Sequence, residues 1–232
     1  MNKYVLIVAG GKGLRMGGDL PKQFISMRGK PLLMHTLEAF HRWDASARII
    51  LVLPEDHQPY WNMLCKEIGC KVPHAIVKGG DTRFFSVKNG LDWLLAERRR
   101  KGEEDSGLSL VAVHDGVRPF VSPEVVEACF DKAAVTGAVI PVVPMIDSLR
   151  ETDEKGSHPV DRSRYMAVQT PQVFHLELLT KAYEQPYSSL FTDDASVVEA
   201  MGHAIDTVPG DRENIKITTP FDLLIAEAMF AR

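Results

Sequence analysis

Short runs of apolar and β-branched residues alternate with stretches of helical spacing along the chain as far as Pro144. Five such runs occupy residues 5–8, 49–53, 75–77, 108–113 and 138–143. Between them, Leu33, Leu37 and Phe40 recur at positions i, i+4 and i+7, and a similar stretch covers residues 87–95. Runs of this length predict strands, and this spacing predicts helices. Their alternation predicts an α/β fold with a Rossmann-like, mostly parallel sheet flanked by helices.

The chain has 232 residues, a length that favours one domain with an addition over two domains of ~150 residues each. We therefore expect a single domain over residues 1–232. The alternating pattern stops after Pro144, and residues 145–167 are rich in charged and turn-forming residues. This segment is predicted to be a protruding arm, built as a β-hairpin. Beyond the arm, we predict helices near residues 175–183, 193–200 and 220–230 and a short strand near 204–208.

The composition excludes several functional classes. The formal net charge is -4, from 27 basic and 31 acidic residues, so the chain lacks the positive excess that binding to nucleic acid or an anionic membrane surface needs. No apolar run approaches the ~20 residues of a membrane span, and residues 4–8 are too few for the core of a signal peptide. We expect a cytoplasmic protein with three reduced cysteines and no structural zinc.

A glycine-rich loop, AGGKGLRMGG at residues 9–18, follows the first predicted strand. Open α/β sheets bind phosphates at this position, where backbone N–H groups approach the phosphate oxygens. The loop is not a dinucleotide fingerprint, because Met16 stands where the third glycine belongs, and it lacks the lysine of a Walker A loop. Lys12, Arg15 and Lys22 supply positive charge suited to a triphosphate. From these residues alone, a nucleotide site and an ordinary exposed turn both remain open.

Six segments together carry a resemblance to a known family. They are the glycine-rich loop with its PKQ ending at residues 21–23, GGDTRFFSV at 79–87, HDGVRP at 114–119, QTPQ at 169–172, TDDAS at 192–196 and NIKIT at 214–218. In this order and spacing they resemble the 2-C-methyl-D-erythritol 4-phosphate cytidylyltransferases of the non-mevalonate isoprenoid pathway. The chain departs from the usual pattern in two places, with Gly10 where alanine is common and Ser148 where threonine is common. Both changes keep the hydrogen-bonding group.

The resemblance implies a fold of the nucleotidyltransferase type and a reaction between CTP and methylerythritol phosphate. The acceptor phosphate attacks the α-phosphate of CTP, and pyrophosphate leaves. The implied catalytic residues are Arg15, Lys22, Arg162 and Lys216, and the implied nucleotide-binding residues are Ala9, Gly10, Gly11, Gly13, Gly80, Asp81, Ser86 and Gly116. The implied acceptor-binding residues are Arg118, Ser148, Arg162, Thr170 and Thr192, and the implied Mg²⁺ ligands are Asp115 and, by a looser correspondence, Glu213. The resemblance also implies a homodimer with interlocked arms, in which Ser148 and Arg162 reach the partner's site.

The chemistry of these residue types agrees with that reaction. The acceptor phosphate and the α-phosphate are both anionic, so fixed cations must screen their repulsion. A phosphate monoester is already ionised near neutral pH, so the reaction needs no protein base. Two alternatives stay open. One is a ribitol 5-phosphate cytidylyltransferase, which shares most of the segments, and the other is a sensor that binds CTP without turnover.

Two positions have a structural and a functional interpretation. His114 is either a buried structural histidine or a metal ligand, and we favour the structural role. Asp193 and Asp194 are either a metal-binding pair or caps of the helix that begins there.

Overall fold

The protein is described by a computed structural model that covers residues 1–10, 20–103 and 107–231. Its strands are β1 (Asn2–Val8), β2 (Ser26–Met27), β3 (Lys30–Pro31), β4 (Arg48–Leu53), β5 (His74–Lys78), β6 (Ser109–Asp115), β7 (Ala138–Pro144), β8 (Arg150–Asp153), β9 (Gly156–Pro159), β10 (Met166–Val168), β11 (Gln172–His175) and β12 (Asp206–Pro209). Its α-helices are α1 (Leu32–Trp43), α2 (Gln58–Ile68), α3 (Arg83–Lys101), α4 (Pro123–Thr136), α5 (Leu176–Ala182), α6 (Asp194–Glu199) and α7 (Pro220–Phe230). Short 3₁₀ helices lie at Lys22–Phe24, Glu55–His57 and Arg162–Arg164.

The main sheet has the strand order β10-β7-β11-β6-β1-β4-β5, with β12 also paired to β7. Strands β6, β1, β4 and β5 are parallel, so their carboxyl ends meet at one edge of the sheet. The antiparallel strand β11 lies between β6 and β7, and β10 pairs with the last residues of β7. The start of β11 therefore lies at the same edge as the end of β6, with Gln172 opposite Val113. The loops that follow the parallel strands and the loop that precedes β11 therefore meet at this edge.

The core lies on both faces of this sheet. Along β1, Val5 and Ile7 pack into one apolar cluster and Tyr4 and Leu6 into another, as the alternation of side chains in a strand requires. The first cluster is completed by apolar side chains of α1 and α4, and the second by those of α3 and α5. Because both faces are covered, the central strands read as unbroken apolar runs. In the described residues, no helix combines the length and the apolar character that a membrane span requires.

The arm, residues 145–167, is built as predicted around an antiparallel hairpin. Its strands β8 and β9 pair from Arg150 opposite Pro159 to Asp153 opposite Gly156. Every residue of the two strands is exposed. The arm therefore adds nothing to the core of the chain.

The predicted α/β fold is confirmed. Strands occupy all five predicted apolar runs, and helices and a strand lie at the four positions predicted beyond the arm. The sequence analysis did not predict α2, α4 or the short antiparallel strands β10 and β11. Strand β11 has only two apolar residues, Val173 and Phe174, between the polar Gln172 and His175, so its pattern is too short to stand out. The division into a single domain of residues 1–232 stays a prediction.

Candidate active site

A pocket of about 230 Å³ opens at the edge where β1 and β6 end. We call it the strand-edge pocket. Its lining mixes apolar and polar groups and carries both signs of charge. Its described lining residues are Val8, Ala9, Gly10, Lys22, Gln23, Gly80, Asp81, Thr82, Arg83, Ser86, Asp115, Val117 and Lys216. Crevices at the carboxyl ends of parallel strands are where open α/β sheets bind their ligands.

Asp115, the last residue of β6, is the charged centre of this pocket. Its side chain is 12% exposed, and its Oδ2 atom lies 3.1 Å from Nζ of Lys216 and 3.0 Å from Nε of Arg118. Burial alone would raise the pKa of Asp115, but the charges of Lys216, Arg83 and Arg118 outweigh it and hold this pKa well below the usual range. The carboxylate is therefore ionised throughout the physiological pH range.

Asn214 joins the segment that carries Lys216 to the sheet. The side-chain amide of Asn214 donates to the backbone carbonyl oxygen of Thr170 at 2.8 Å. The backbone carbonyl oxygen of Asn214 accepts from Nη1 of Arg118 at 2.8 Å. Three residues along, Ile217 N donates to the carbonyl oxygen of Val117 at 3.0 Å. These bonds fix the backbone on both sides of Lys216, while its side chain stays 43% exposed. The ammonium group is thus held near Asp115 and remains open to a ligand.

His114 is fully buried, and its hydrogen bonds determine which nitrogen carries the proton. Nε2 lies 3.1 Å from the carbonyl oxygen of Arg118, which only accepts, so Nε2 is the protonated nitrogen. Nδ1 then accepts from the hydroxyl of Thr170 at 3.0 Å, and that hydroxyl accepts from Asp115 N at 3.1 Å. Burial lowers the pKa of His114 to about 4, so the ring is neutral near pH 7. We call His114, Asp115, Arg118, Thr170 and Asn214 the clamp.

Close backbone approach explains two glycines beside the pocket. A Cβ atom at Gly80 would lie 2.4 Å from Cβ of Phe85, and one at Gly116 would lie 2.8 Å from Cβ of Ala9. Gly80 N also donates to Oγ of Ser86 at 3.1 Å, which closes the turn at the start of α3. On the other side, the side-chain amide of Gln23 donates to the carbonyl oxygen of Ala9 at 2.9 Å. These contacts therefore hold the backbone around the pocket in place and leave the pocket itself open.

A buried ion pair joins the first residue of α3 to the first residue of α6, and sequence reasoning missed it. Arg83 donates through Nη1 and Nη2 to the two oxygens of Asp194, at 2.9 and 2.5 Å. The hydroxyl of Tyr183 donates to Oδ1 of the same carboxylate at 2.6 Å. Asp194 is completely buried, and Asp193 caps α6 by accepting from Ser196 N at 2.9 Å. Of the two residues that allowed a metal or a capping interpretation, Asp193 is thus the cap of α6 and Asp194 is the ion-pair partner of Arg83.

Sequence comparison places the chain in a family. The sequence model of the 2-C-methyl-D-erythritol 4-phosphate cytidylyltransferases matches residues 4–232. The chain belongs to this family. A 2-C-methyl-D-erythritol 4-phosphate cytidylyltransferase of Bacteroides fragilis is 55% identical over 229 residues, which are 99% of this chain and 100% of that protein. One of Bacillus licheniformis is 40% identical over 232 residues, which cover 99% of this chain and 96% of that protein.

Solved structures of cytidylyltransferases of this family have the same fold. The Thermus thermophilus enzyme of that name superposes with a TM-score of 0.74 at 32% identity, and the match covers 100% of both chains. The 4-diphosphocytidyl-2C-methyl-D-erythritol synthase of Anaerococcus prevotii superposes with a TM-score of 0.79 at 28% identity, covering 100% of this chain and 96% of that one.

Most of the implied nucleotide-side residues of this cytidylyltransferase family come together in the described structure. The strand-edge pocket is lined by Ala9, Gly10, Lys22, Gly80, Asp81, Ser86, Asp115 and Lys216. Gly116 and Arg118 adjoin it through Asp115. Gly11, Gly13 and Arg15 lie outside the described residues. Their roles stay predictions, as do those of the residues in the pocket.

The implied acceptor-side residues are more scattered. Ser148, Arg162, Thr192 and Glu213 are exposed and are not among the described residues that line the pocket. Arg162 donates to the carbonyl oxygen of Ile146 within the arm. Thr170 is buried in the clamp, where its hydroxyl both accepts from Asp115 N and donates to His114. In this structure Thr170 positions the clamp, and its role toward an acceptor stays a prediction.

The described residues fit only one kind of metal site. They contain no group of three or more His, Cys, Asp or Glu side chains placed to hold a metal ion. Asp115 offers a single carboxylate, and the charged side chains in contact with it, Arg118 and Lys216, are positive. Mg²⁺ that arrives with a nucleotide takes one or two carboxylates and fills its remaining positions with phosphate oxygens and water. The site fits such an ion and does not fit a metal held by protein ligands alone.

Proposed function

We propose that this protein transfers the cytidylyl group of CTP to 2-C-methyl-D-erythritol 4-phosphate and releases pyrophosphate. Family membership over residues 4–232 supports the substrates. The observation that carries the chemistry is the grouping of Lys216 and Arg118 around the buried Asp115 at the carboxyl end of β6. Fixed positive charge at this edge of the sheet matches what a phosphoryl-type transfer requires.

The reaction forms one bond and breaks one. An oxygen of the acceptor phosphate attacks the α-phosphorus of CTP, and the bond from that phosphorus to the bridging oxygen of the β-phosphate breaks. Two anionic groups must meet, so the main contribution of the protein is charge stabilisation and positioning. Lys22 and Lys216 line the pocket and supply that charge, and Arg15 is predicted to add to it. No proton has to leave the nucleophile, which agrees with the neutral His114 serving a structural role.

The loop around Gly80 is proposed to receive the cytosine. Gly80, Asp81 and Ser86 line one side of the pocket, and Ala9 and Gly10 line the other. The absence of a side chain at Gly80 lets the backbone of this wall pass close to Phe85 at the start of α3. The hydrogen bond from Gly80 N to Ser86 holds this wall in place before a ligand arrives.

Mg²⁺ is proposed to bind with the nucleotide at Asp115. When bound, the ion would neutralise phosphate charge that develops on the leaving pyrophosphate. Lys216 and Arg118 hold the carboxylate ionised and oriented for this purpose. Glu213 is exposed, so its proposed contribution as a ligand is smaller than that of Asp115.

We also propose a homodimer in which the arms interlock and Ser148 and Arg162 complete the acceptor side of the partner's site. Large apolar side chains on and next to the arm support this assembly, because Ile146 is 61%, Tyr165 46% and Met166 46% exposed. Exposed apolar side chains that lie together mark interaction surfaces. The cytoplasmic location stays a prediction from the sequence.

The decisive experiment measures pyrophosphate release from CTP with each candidate acceptor. We expect release with methylerythritol 4-phosphate and at least tenfold less with ribitol 5-phosphate at equal concentration, a difference of about 1.4 kcal/mol in the barrier. Equal or greater turnover of ribitol 5-phosphate would replace the proposed acceptor. CTP binding without pyrophosphate release from either acceptor would indicate the sensor instead.

A further inference from the structure

Two cysteine side chains meet at the end of α2, outside the strand-edge pocket. Cys65 lies in the last turn of the helix, and Cys70 directly follows Gly69, which ends the helix with a left-handed φ of 74°. The N–H groups of both Gly69 and Cys70 donate to the carbonyl oxygen of Cys65, the second at 2.9 Å. This capping turn folds the chain back on itself. It places the two side chains next to each other against the same apolar cluster, close enough for one thiol to donate to the other.

The two thiols differ in acidity. The hydrogen bond from the Cys65 thiol lowers the pKa of Cys70 to about 6, against the effect of partial burial and with help from Val72 N–H. The same hydrogen bond and burial raise the pKa of Cys65 well above its usual range. Lys30 favours and Glu38 opposes the Cys70 thiolate, and these two side chains pair with each other at 2.6 Å. These shifts favour Cys70 as the thiolate and Cys65 as the hydrogen-bond donor.

Accessibility separates this pair from the third cysteine. Cys65 and Cys70 are both partly exposed, whereas Cys129 is completely buried between α4 and the sheet. Burial raises the pKa of Cys129 to about 12, so it carries no thiolate near neutral pH. A thiolate that is accessible and next to a second thiol is the arrangement that reacts in disulfide exchange. Cys129 provides an internal control in the same chain.

We propose that Cys65 and Cys70 form a redox-active dithiol that low-molecular-weight disulfides oxidise to an intramolecular disulfide. The Cys70 thiolate attacks one sulfur of the small disulfide, forms a mixed disulfide and expels a thiolate. Cys65 then loses its proton to solvent and attacks Sγ of Cys70, which releases the second small thiol. The protein loses two electrons and two protons, and one small disulfide becomes two small thiols.

The test incubates the purified full-length protein with oxidised glutathione near neutral pH and measures intact mass. We expect a loss of about 2 Da as the disulfide forms by exchange, while Cys129 stays reduced. Lys66 lies between the two cysteines in the sequence, so trypsin separates them into peptides joined only by the new bond. Wild-type protein that stays reduced, or that accumulates a glutathione adduct without the cross-linked peptides, overturns the proposal.

Two matched variants test the order of attack. Cys65→Ser removes the resolving thiol, so a glutathione adduct should accumulate on Cys70. Cys70→Ser removes the nucleophile, and adduct formation on Cys65 should be at least about tenfold slower. Equal rates in the two variants contradict the assignment. Should either variant fail to fold, limited alkylation of the wild-type protein with iodoacetamide gives the same ranking, with Cys70 modified first and Cys129 last.

Discussion

The clamp and the arm contribute residues to the same proposed site but are built in opposite ways. In the clamp, His114, Thr170 and Asn214 are buried, and the bonds that join Thr170 to His114 and to Asn214 link distant parts of the chain. In the arm, both hairpin strands are exposed, and the hydrogen bonds of the hairpin join its own residues, such as Arg150 and Ser157. The hydrogen bonds of the clamp are all made within this chain, whereas the surface of the arm hairpin is left uncovered by the described residues.

The difference follows from the cost of burying polar groups. A buried polar atom without a partner is unfavourable, so a buried site favours the arrangement that pairs most of its polar groups. Exposed pairs such as Glu151 with His158 lose little when they separate, because water replaces each partner. We therefore expect the clamp to hold its geometry before a ligand binds. The arm should acquire a fixed geometry only against a second surface.

The largest expected effect is on stability, at the buried ion pair beside the clamp. Asp194→Ala leaves Arg83 and Tyr183 without their acceptor, and we expect a loss of about 3 to 4 kcal/mol, near the lower limit for broken buried pairs, because Arg83 is 30% exposed. Urea denaturation measures this loss of folding stability. The matched variant Glu151→Ala removes an acidic partner in the arm and should change stability by less than about 0.5 kcal/mol. Similar losses in the two variants would remove the contrast between the regions.

The next effect concerns pH. The pKa of His114 is about 4 in the folded protein, against an ordinary value of 6.5, so between these values the unfolded chain binds a proton that the folded chain does not. Stability must therefore fall as the pH decreases through this window, by about 3 kcal/mol from this one group. In His114→Gln that part of the decrease should disappear.

Chemical denaturation at several pH values, without nucleotide or metal, measures the slope. His158→Gln in the arm is the control, because its ring is 55% exposed, and its profile should parallel that of the wild type. A His114→Gln profile as steep as the wild type would mean that His114 is not held neutral by the clamp.

The third effect is on turnover. Lys216→Ala removes an ammonium group at 3.1 Å from Asp115, and we expect kcat to fall at least about 10²-fold, or ~2.7 kcal/mol in the barrier, with the fold intact. Steady-state pyrophosphate release and circular dichroism measure the two properties. Lys155→Ala, at the tip of the arm hairpin, removes the same charge elsewhere and should keep kcat within about twofold. Near-normal turnover in Lys216→Ala would refute the proposed charge stabilisation.

The smallest effect is a partial recovery that tests the partner surface of the arm. Arg162→Ala and Lys216→Ala proteins, each expected to be nearly inactive, are unfolded together and refolded. About half of the dimers should then be hybrids with one intact site, which restores about a quarter of the parental activity. Each variant refolded alone provides the background. If mass tags prove that hybrids form and activity stays at background, Arg162 serves its own chain.

Much of the fold was predictable from the sequence because burial on both faces leaves a direct pattern. Strand β1 and its parallel neighbours appear as apolar runs. The antiparallel β11 is defined by pairing with β6 and β7 and carries only a weak pattern of its own. Its position at the edge of the pocket was therefore not predictable from local residues.

The chemistry of the site was predictable only in part, through segments that resemble a family. Asp115 and Lys216 lie in such segments, and the structure brings them into contact. Arg83 and Asp194 are 111 positions apart, and no local spacing indicates that they meet. The tautomer of His114 likewise depends on the carbonyl of Arg118 and the hydroxyl of Thr170 together. Such interactions follow from the topology of the fold, because spacing along the sequence does not show which distant residues come into contact.

The two ends of the arm leave the sheet side by side, since Pro144 at the end of β7 pairs directly with Met166 at the start of β10. A chain that departs and returns at neighbouring positions encloses an insertion, and its length can change without altering the register of the sheet. The clamp draws its residues from the end of β6 and the loop after it, from the loop before β11 and from the segment around Asn214, so it lies outside that insertion. The arm can therefore change in length and sequence, and with it the surface that it offers to other molecules, while the clamp keeps its geometry.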